Sequence, residues 1–266
     1  MNARTEPATA EPAATAPARP PLTRELLLVA GLFLVYKLGR QLAVGHTAAA
    51  FHNAHRVWDL ERAAHLPDET SVQSALLHGD LLVHLANTYY AAVHFPATLA
   101  FLVWLYVKRP AHYVWARRVL AAVTAAALVL PFTFPLAPPR MLTGTGLLDT
   151  ARIYGPSVYG PPAGDHLSNQ FAAMPSLHFG WALMVAVGLM SATRSRLRRL
   201  WLLHPLVTLL VIVGTANHYW VDALAAAAML GIALAVVRAP RHTPGRTGGS
   251  PRLPAQRRPV LAGAGR

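Results

Sequence analysis

Long apolar runs alternate with short polar or basic segments along the chain. Six runs read as membrane helices: Leu26–Val44, Leu81–Val107, Val114–Phe134, Leu177–Ala192, Leu200–Ala216 and Val221–Val237. They are too long for ordinary strands and approach the length a bilayer-crossing helix needs. Lys37 and Arg40 interrupt the second half of the first run. Between the first two runs, Ala50–Leu77 carries Arg56, Asp59, Glu61, Arg62, Asp68 and Glu69 beside Phe51, Val57, Trp58 and Leu60. That mixture predicts an amphipathic helix lying in the interface. A Pro- and Gly-dense loop, Leu136–Met174, separates the third run from the fourth. Loops of that length usually carry function or lack order. The pattern therefore predicts an all-α, polytopic membrane protein, with six transmembrane helices bundled over residues 23–238. An Ala/Pro/Thr-rich stretch, 1–22, and a Pro/Gly/Arg-rich stretch, 239–266, read as disordered tails. The apolar stretch begins too late, and lacks a cleavage site, for a secretory signal.

Composition supports this reading. Of the 266 residues, 54% are hydrophobic and only 13% charged, against about 25% charged in soluble domains. The formal net charge of +13 raises the question of nucleic acid. The basic residues, however, flank apolar runs instead of lining one face with aromatics, which excludes that partner. Lys108, Arg109, Arg117 and Arg118 lie between the second and third runs, and Arg194, Arg196, Arg198 and Arg199 between the fourth and fifth; the C-terminal tail adds more arginines. With six spans all three clusters fall on one side. The positive-inside rule makes that side cytoplasmic, the tail included, in the cell membrane. The absence of cysteine excludes disulfides and Cys-ligated metals.

Topology then gathers the unusual polar residues on the other face. Arg140 follows the third run, Ser176 and His178 open the fourth, His218 stands between the fifth and sixth, and Asp222 opens the sixth. Such a set suits phosphoryl transfer through a covalent histidine. A neutral imidazole attacks phosphorus while a carboxylate holds its other nitrogen and stabilises the cation that forms. His218 and Asp222, spaced i, i+4, are expected on one face of a helix. His178 is available to protonate the leaving oxygen. Arg140 offers a planar fork for phosphate, and Ser176 stands with the helix-start amides that face the same way. Plainer readings stay open: Ser176 as only an N-cap, Arg140 snorkelling to headgroups, and the His218–Asp222 pair with His178 as a zinc site. In the second run His84, Asn87, Tyr90 and His94 fall broadly on one stripe. They are either interhelical hydrogen-bonding groups or, for Tyr90 and His94, a wall against a lipid headgroup.

At these residues the chain resembles the type 2 phosphatidic-acid phosphatase superfamily, and within it the branch of the aureobasidin-resistance inositol phosphotransferases. Pro175-Ser176-Leu177-His178 matches Pro-Ser-x-His, His218 and Asp222 match His-x-x-x-Asp, and the Ala-Pro-Pro-Arg run ending at Arg140 resembles that branch's first motif. The resemblance covers roughly residues 80–237. It implies a six-helix bundle with an extracytoplasmic site, His218 as nucleophile, His178 as acid and Asp222 as orienter. The lipid-phosphatase pattern Lys-x6-Arg-Pro is absent, since Lys108-Arg109-Pro110 lacks the spacing. Where that type has Ser-Arg ahead of the histidine, this chain has Val211 and Ile212. Arg140 is then left with more of the phosphate binding.

The expected activity is metal-independent, cofactor-free transfer of a phosphoryl or phosphoinositol-type group from a membrane lipid, with a phospholipid or polyprenyl phosphate as substrate. Hydrolysis, with water as acceptor, is the second enzymatic reading. A non-catalytic transporter is the third; it would need charge near the membrane midplane.

Overall fold

A computed structural model of the protein describes residues 19–42, 46–156 and 170–240. Most of the expected N-terminal tail, nearly all of the C-terminal tail, the middle of the long loop, and the side chains of Lys37 and Arg40 lie outside the described residues. Ten α-helices follow in order: α1 (Leu22–Leu42), α2 (Thr47–Ala63), α3 (Glu69–Leu76), α4 (Asp80–Ala92), α5 (His94–Lys108), α6 (Pro110–Thr133), α7 (Thr150–Tyr154), α8 (Leu177–Ala192), α9 (Leu203–Gly214) and α10 (Trp220–Val236). A 3-10 helix, Arg196–Leu202, leads into α9. Among the described residues the only β pairing is an isolated parallel bridge between Leu136 and Ala172. The fold is all-helical, as the hydrophobic pattern predicts.

The six expected spans are supported only in part. Among the described residues two helices are long and apolar enough to cross a membrane: α6, and the continuous Arg196–Gly214. The second run is not one straight helix. It is α4 and α5, bent by 49° at Val93, and counts as a third span only if the pair is one. α8 and α10 are shorter apolar helices of 16 and 17 residues. At 1.5 Å per residue they fall short of a hydrocarbon core about 30 Å thick. α1 has the length but carries Arg24, Glu25, Lys37 and Arg40. The amphipathic segment is likewise two helices, α2 and α3, because Asp68 caps a new start through the Thr70 amide.

α8 is the central element, packed against α5, α6, α9 and α10. Phe101, Leu105, Val119, Val123, Met184 and Leu230 form the core between them. Gly188 allows the closest approach, since a Cβ there would collide with the Phe101 ring. Large apolar side chains such as Leu99, Leu206, Leu224 and Ile232 point outward, as lipid-facing residues do. α1 is tied at its start, where the buried Glu25 carboxylate pairs with Arg117 and accepts from the Tyr113 hydroxyl at 2.8 Å.

The junctions carrying the basic clusters meet at one end of the bundle. Arg109 Nε donates to the Ala192 carbonyl at the end of α8 (3.4 Å), and Trp115 Nε1 to the Val237 carbonyl after α10 (3.0 Å). At the other end, α2, α3, α7 and the loop segments lie over the starts of α8 and α10. Asn53 donates to the Pro135 carbonyl at 2.9 Å, the Ala137 amide to Ala50 at 3.2 Å, and the Trp220 indole to Pro67 at 2.8 Å.

Candidate active site

Two helix starts and the turn after α9 build the site. Ser176 is the N-cap of α8. Its hydroxyl accepts from the Phe179 amide at 3.4 Å, and its own amide donates to the Asp222 carbonyl at 3.1 Å. This bond ties the start of α8 to the start of α10 and leaves Ser176 fully buried. His178, two residues on, sits on the first turn of α8.

His218 does not share a helix with Asp222, contrary to the i, i+4 expectation. α9 ends at Gly214, Ala216 turns the chain at φ 53°, and the Asn217 and His218 amides both donate back to the Ile212 carbonyl. α10 begins only at Trp220. The two side chains still meet, because Asp222 reaches back over the helix start. Its Oδ2 accepts the Tyr219 amide at 3.0 Å and lies 3.2 Å from His218 Nδ1. The Ala173 carbonyl lies 2.9 Å from the same nitrogen. With two acceptors facing Nδ1, the neutral ring carries its proton there, and the lone pair is left on Nε2. That is the tautomer a nucleophilic histidine needs.

The His178 and His218 rings lie 6.0 Å apart, centre to centre. Tyr90 stacks on His178 at 4.3 Å, with the rings 20° from parallel, and His94 lies 4.5 Å from it. His94 in turn packs on Trp181 at 5.1 Å. The polar stripe of the second run therefore divides by depth. Tyr90 and His94 form a wall, and that wall holds the His178 ring. Asn87 fastens α7 instead, donating to the Thr150 and Gly155 carbonyls and accepting the Thr150 hydroxyl at 2.9 Å. His84 meets the Tyr154 ring edge-on.

Arg140 does not snorkel to the surface. Its side chain is only 4% exposed, with Nε 3.5 Å from Asp149. Nη1 donates to the Asn217 side-chain oxygen at 2.7 Å, and Nη2 to Gln170 at 3.5 Å. The Arg140 amide donates to the Ala216 carbonyl at 2.9 Å. The guanidinium is thus fixed beside the turn that presents His218. Lys108-Arg109-Pro110 lies at the opposite end of the bundle, and Val211 and Ile212 are buried among apolar neighbours. Among the described residues no three His, Asp or Glu side chains cluster to hold a metal ion.

Several residues at the site do not stand out in the sequence. Asn217 and Asp149 hold Arg140, and the Ala173 carbonyl holds His218. Glu61, from α2, is fully buried, and its Oε1 accepts the Val221 amide at 2.8 Å, at the start of α10. Burial pushes the Glu61 carboxyl up to about 7; the nearby Asp222 carboxylate adds to this, while the Val221 amide and Arg62 oppose it.

No curated protein and no solved structure matches the chain. The family model of the PAP2 superfamily matches residues 55–236, which hold every candidate site residue. The chain belongs to the PAP2 superfamily.

Proposed function

We propose that the protein is a membrane-embedded lipid phosphotransferase of the inositol-phosphotransferase type, working through a phosphohistidine on His218 at the extracytoplasmic face. Membership of the superfamily gives the coarser part, a phosphatase- or phosphotransferase-type enzyme acting on lipid phosphates. The finer reading rests on one observation: His218 Nδ1 faces two acceptors, Ala173 O and Asp222 Oδ2, which leaves the ring's lone pair on Nε2 for attack. In the first step Nε2 bonds to phosphorus, the bond from phosphorus to the lipid oxygen breaks, and His178 gives that oxygen its proton. In the second step an acceptor hydroxyl gives a proton to His178 and bonds to phosphorus, and the phosphorus–nitrogen bond breaks. Asp222 stabilises the cationic ring in between. Arg140, fixed beside Asn217, and the buried amides at the start of α8 face the developing charge.

Three features support a lipid substrate and the inositol-type branch. The Ala-Pro-Pro-Arg run puts its arginine at the turn before His218. Tyr90 and His94 give the site an aromatic wall. An apolar groove of about 410 Å³, lined by Ala86, Tyr89, Leu210 and Val211 among others, runs along the helix that carries Tyr90. The same reading takes α1, α4–α5, α6, α8, the Arg196–Gly214 run and α10 as six spans, the shorter ones completed by their flanking turns, with the basic end in the cytoplasm.

The test is a lipid substrate radiolabelled in its phosphate. The wild-type protein should give an acid-labile, base-stable adduct, and His218→Ala should give neither adduct nor turnover while remaining folded in detergent. Activity within a few fold of wild type in that variant would sink the assignment. Product analysis with and without an inositol-like acceptor separates transfer from hydrolysis.

A further inference from the structure

Four buried side-chain atoms lack a hydrogen-bond partner among the described residues. They are Glu69 Oε1 on α3, Arg62 Nε and Glu61 Oε2 on α2, and Asp222 Oδ1 on α10. Glu61, Glu69 and Asp222 are fully buried. Arg62 is committed to α3, pairing with Asp68 at 2.6 Å and with Glu69. The one guanidinium near Glu61 is thus already paired with two other carboxylates. Asp222 must keep its charge if it is to stabilise a cationic His218. Glu61 has no such duty, and its Oε1 is already bonded to the amide of Val221, the residue before Asp222.

Glu61 lies within electrostatic reach of the Asp222 carboxylate, and two carboxylates close together in a dry place do not both stay ionised. Two orphaned oxygens are satisfied together when one carries a proton and the other accepts it. We infer that Glu61 is a positioning residue for the proposed phosphotransfer, holding the start of α10 through the Val221 amide and donating a shared proton from Oε2 to Asp222 Oδ1. With both its oxygens engaged, Asp222 stays aimed at His218 Nδ1. The groups acting on Glu61 are Arg62 on its own helix, which is paired with Asp68 and Glu69 of α3, the Trp220 and Val221 amides and the Asp222 carboxylate of α10, and Tyr219 of the turn. Only Asp222 offers an unpartnered acceptor among them at the start of α10. Ionisation of Glu61 at about 7 puts loss of the shared proton within reach of ordinary assay conditions. The inference depends on the phosphotransfer reading for its catalytic meaning, but not for the proton itself.

The experiment compares wild type, E61Q and E61A in mixed micelles from about pH 5 to about pH 9, with kcat as one readout and infrared difference spectra as the other. Glutamine keeps the acceptor for Val221 and supplies an N–H for Asp222, and it does not titrate. Wild-type kcat should fall as pH rises through about 7. E61Q should stay within about threefold of wild type below that point and lose the alkaline fall, whereas E61A should lose roughly 10–100-fold, as outer-shell partners of a reactive group do. In the infrared, a protonated-carboxyl stretch that titrates near neutrality should be present in wild type and absent in E61Q. E61Q as weak as E61A, an unchanged alkaline limb in E61Q, or no such band in wild type would each overturn the inference. If E61A does not fold, E61Q and the spectra still decide. A failed His218 adduct with the band present would remove the phosphohistidine reading and leave the shared proton standing.

Discussion

Arg140 Nη1 donates to the side-chain oxygen of Asn217 at 2.7 Å, across 77 positions of sequence, and Asn217 is the residue immediately before His218. The arginine expected to bind phosphate is thus also a fastening for the turn that presents His218, the proposed nucleophile. Asp149 holds its Nε from the far side.

That double attachment makes Arg140→Lys a severe change. Lysine keeps the charge but lacks the planar fork, so it cannot meet Asp149 and Asn217 in one geometry while facing phosphate. We expect kcat to fall on the order of 10²–10³, as for loss of one preorganised donor, with KM rising as well. The check is kcat and KM for both proteins at saturating, detergent-dispersed substrate; near-identical values would move the phosphate clamp elsewhere.

Chelation should leave activity intact. The proposed chemistry draws its positive charge from Arg140 and its proton from His178, so no step calls on a divalent ion. Turnover after EDTA treatment should match the untreated enzyme. Reversible loss, restored by zinc or magnesium, would require a metal mechanism.

Sidedness is open to direct labelling, because the chain has no cysteine of its own. Thr143 is exposed in the long loop, and Arg194 is exposed in the basic turn after α8. In intact cells a membrane-impermeant maleimide should label Thr143→Cys and spare Arg194→Cys; the opposite pattern would invert the proposed orientation.

Stability should fall with pH over a defined window. Glu61 ionises at about 7 in the fold, against 4.5 for the unperturbed group. Between these values the folded protein binds more protons than the unfolded chain, so stability declines as pH rises from about 4.5 to about 7 and then levels off. The melting temperature in detergent should trace that slope in wild type, and the slope should be shallower in Glu61→Gln.

What the sequence made legible was local or periodic. The apolar runs mark the helices, and Pro175-Ser176-Leu177-His178 is a cap followed by a first turn, so its geometry is written within four residues. The His218–Asp222 pairing was legible as a meeting but not as a mechanism. The spacing pointed to one helical face, whereas Asp222 uses its oxygen to cap the Tyr219 amide and meets a histidine outside the helix. The break at Val93 lies just ahead of Pro96, which has no N–H for the Ala92 carbonyl, but the apolar run continues through it, so the second run read as one helix. Glu61 was one of several charges in an amphipathic stretch. Its partner amide lies 160 residues away, and nothing local distinguishes it from Asp59, two positions earlier.

The attachment of Arg140 to Ala216 and Asn217 also dictates an order of events during synthesis. Both partners are made some 76 and 77 residues after the arginine, and Asp222 follows later still. A ribosome that has released α1 through α8 into the bilayer has therefore made a chain with His178 and Arg140 but no site. Chains cut short before the last helix are expected to be catalytically silent, so a truncated product in the membrane would not turn over lipid unsupervised.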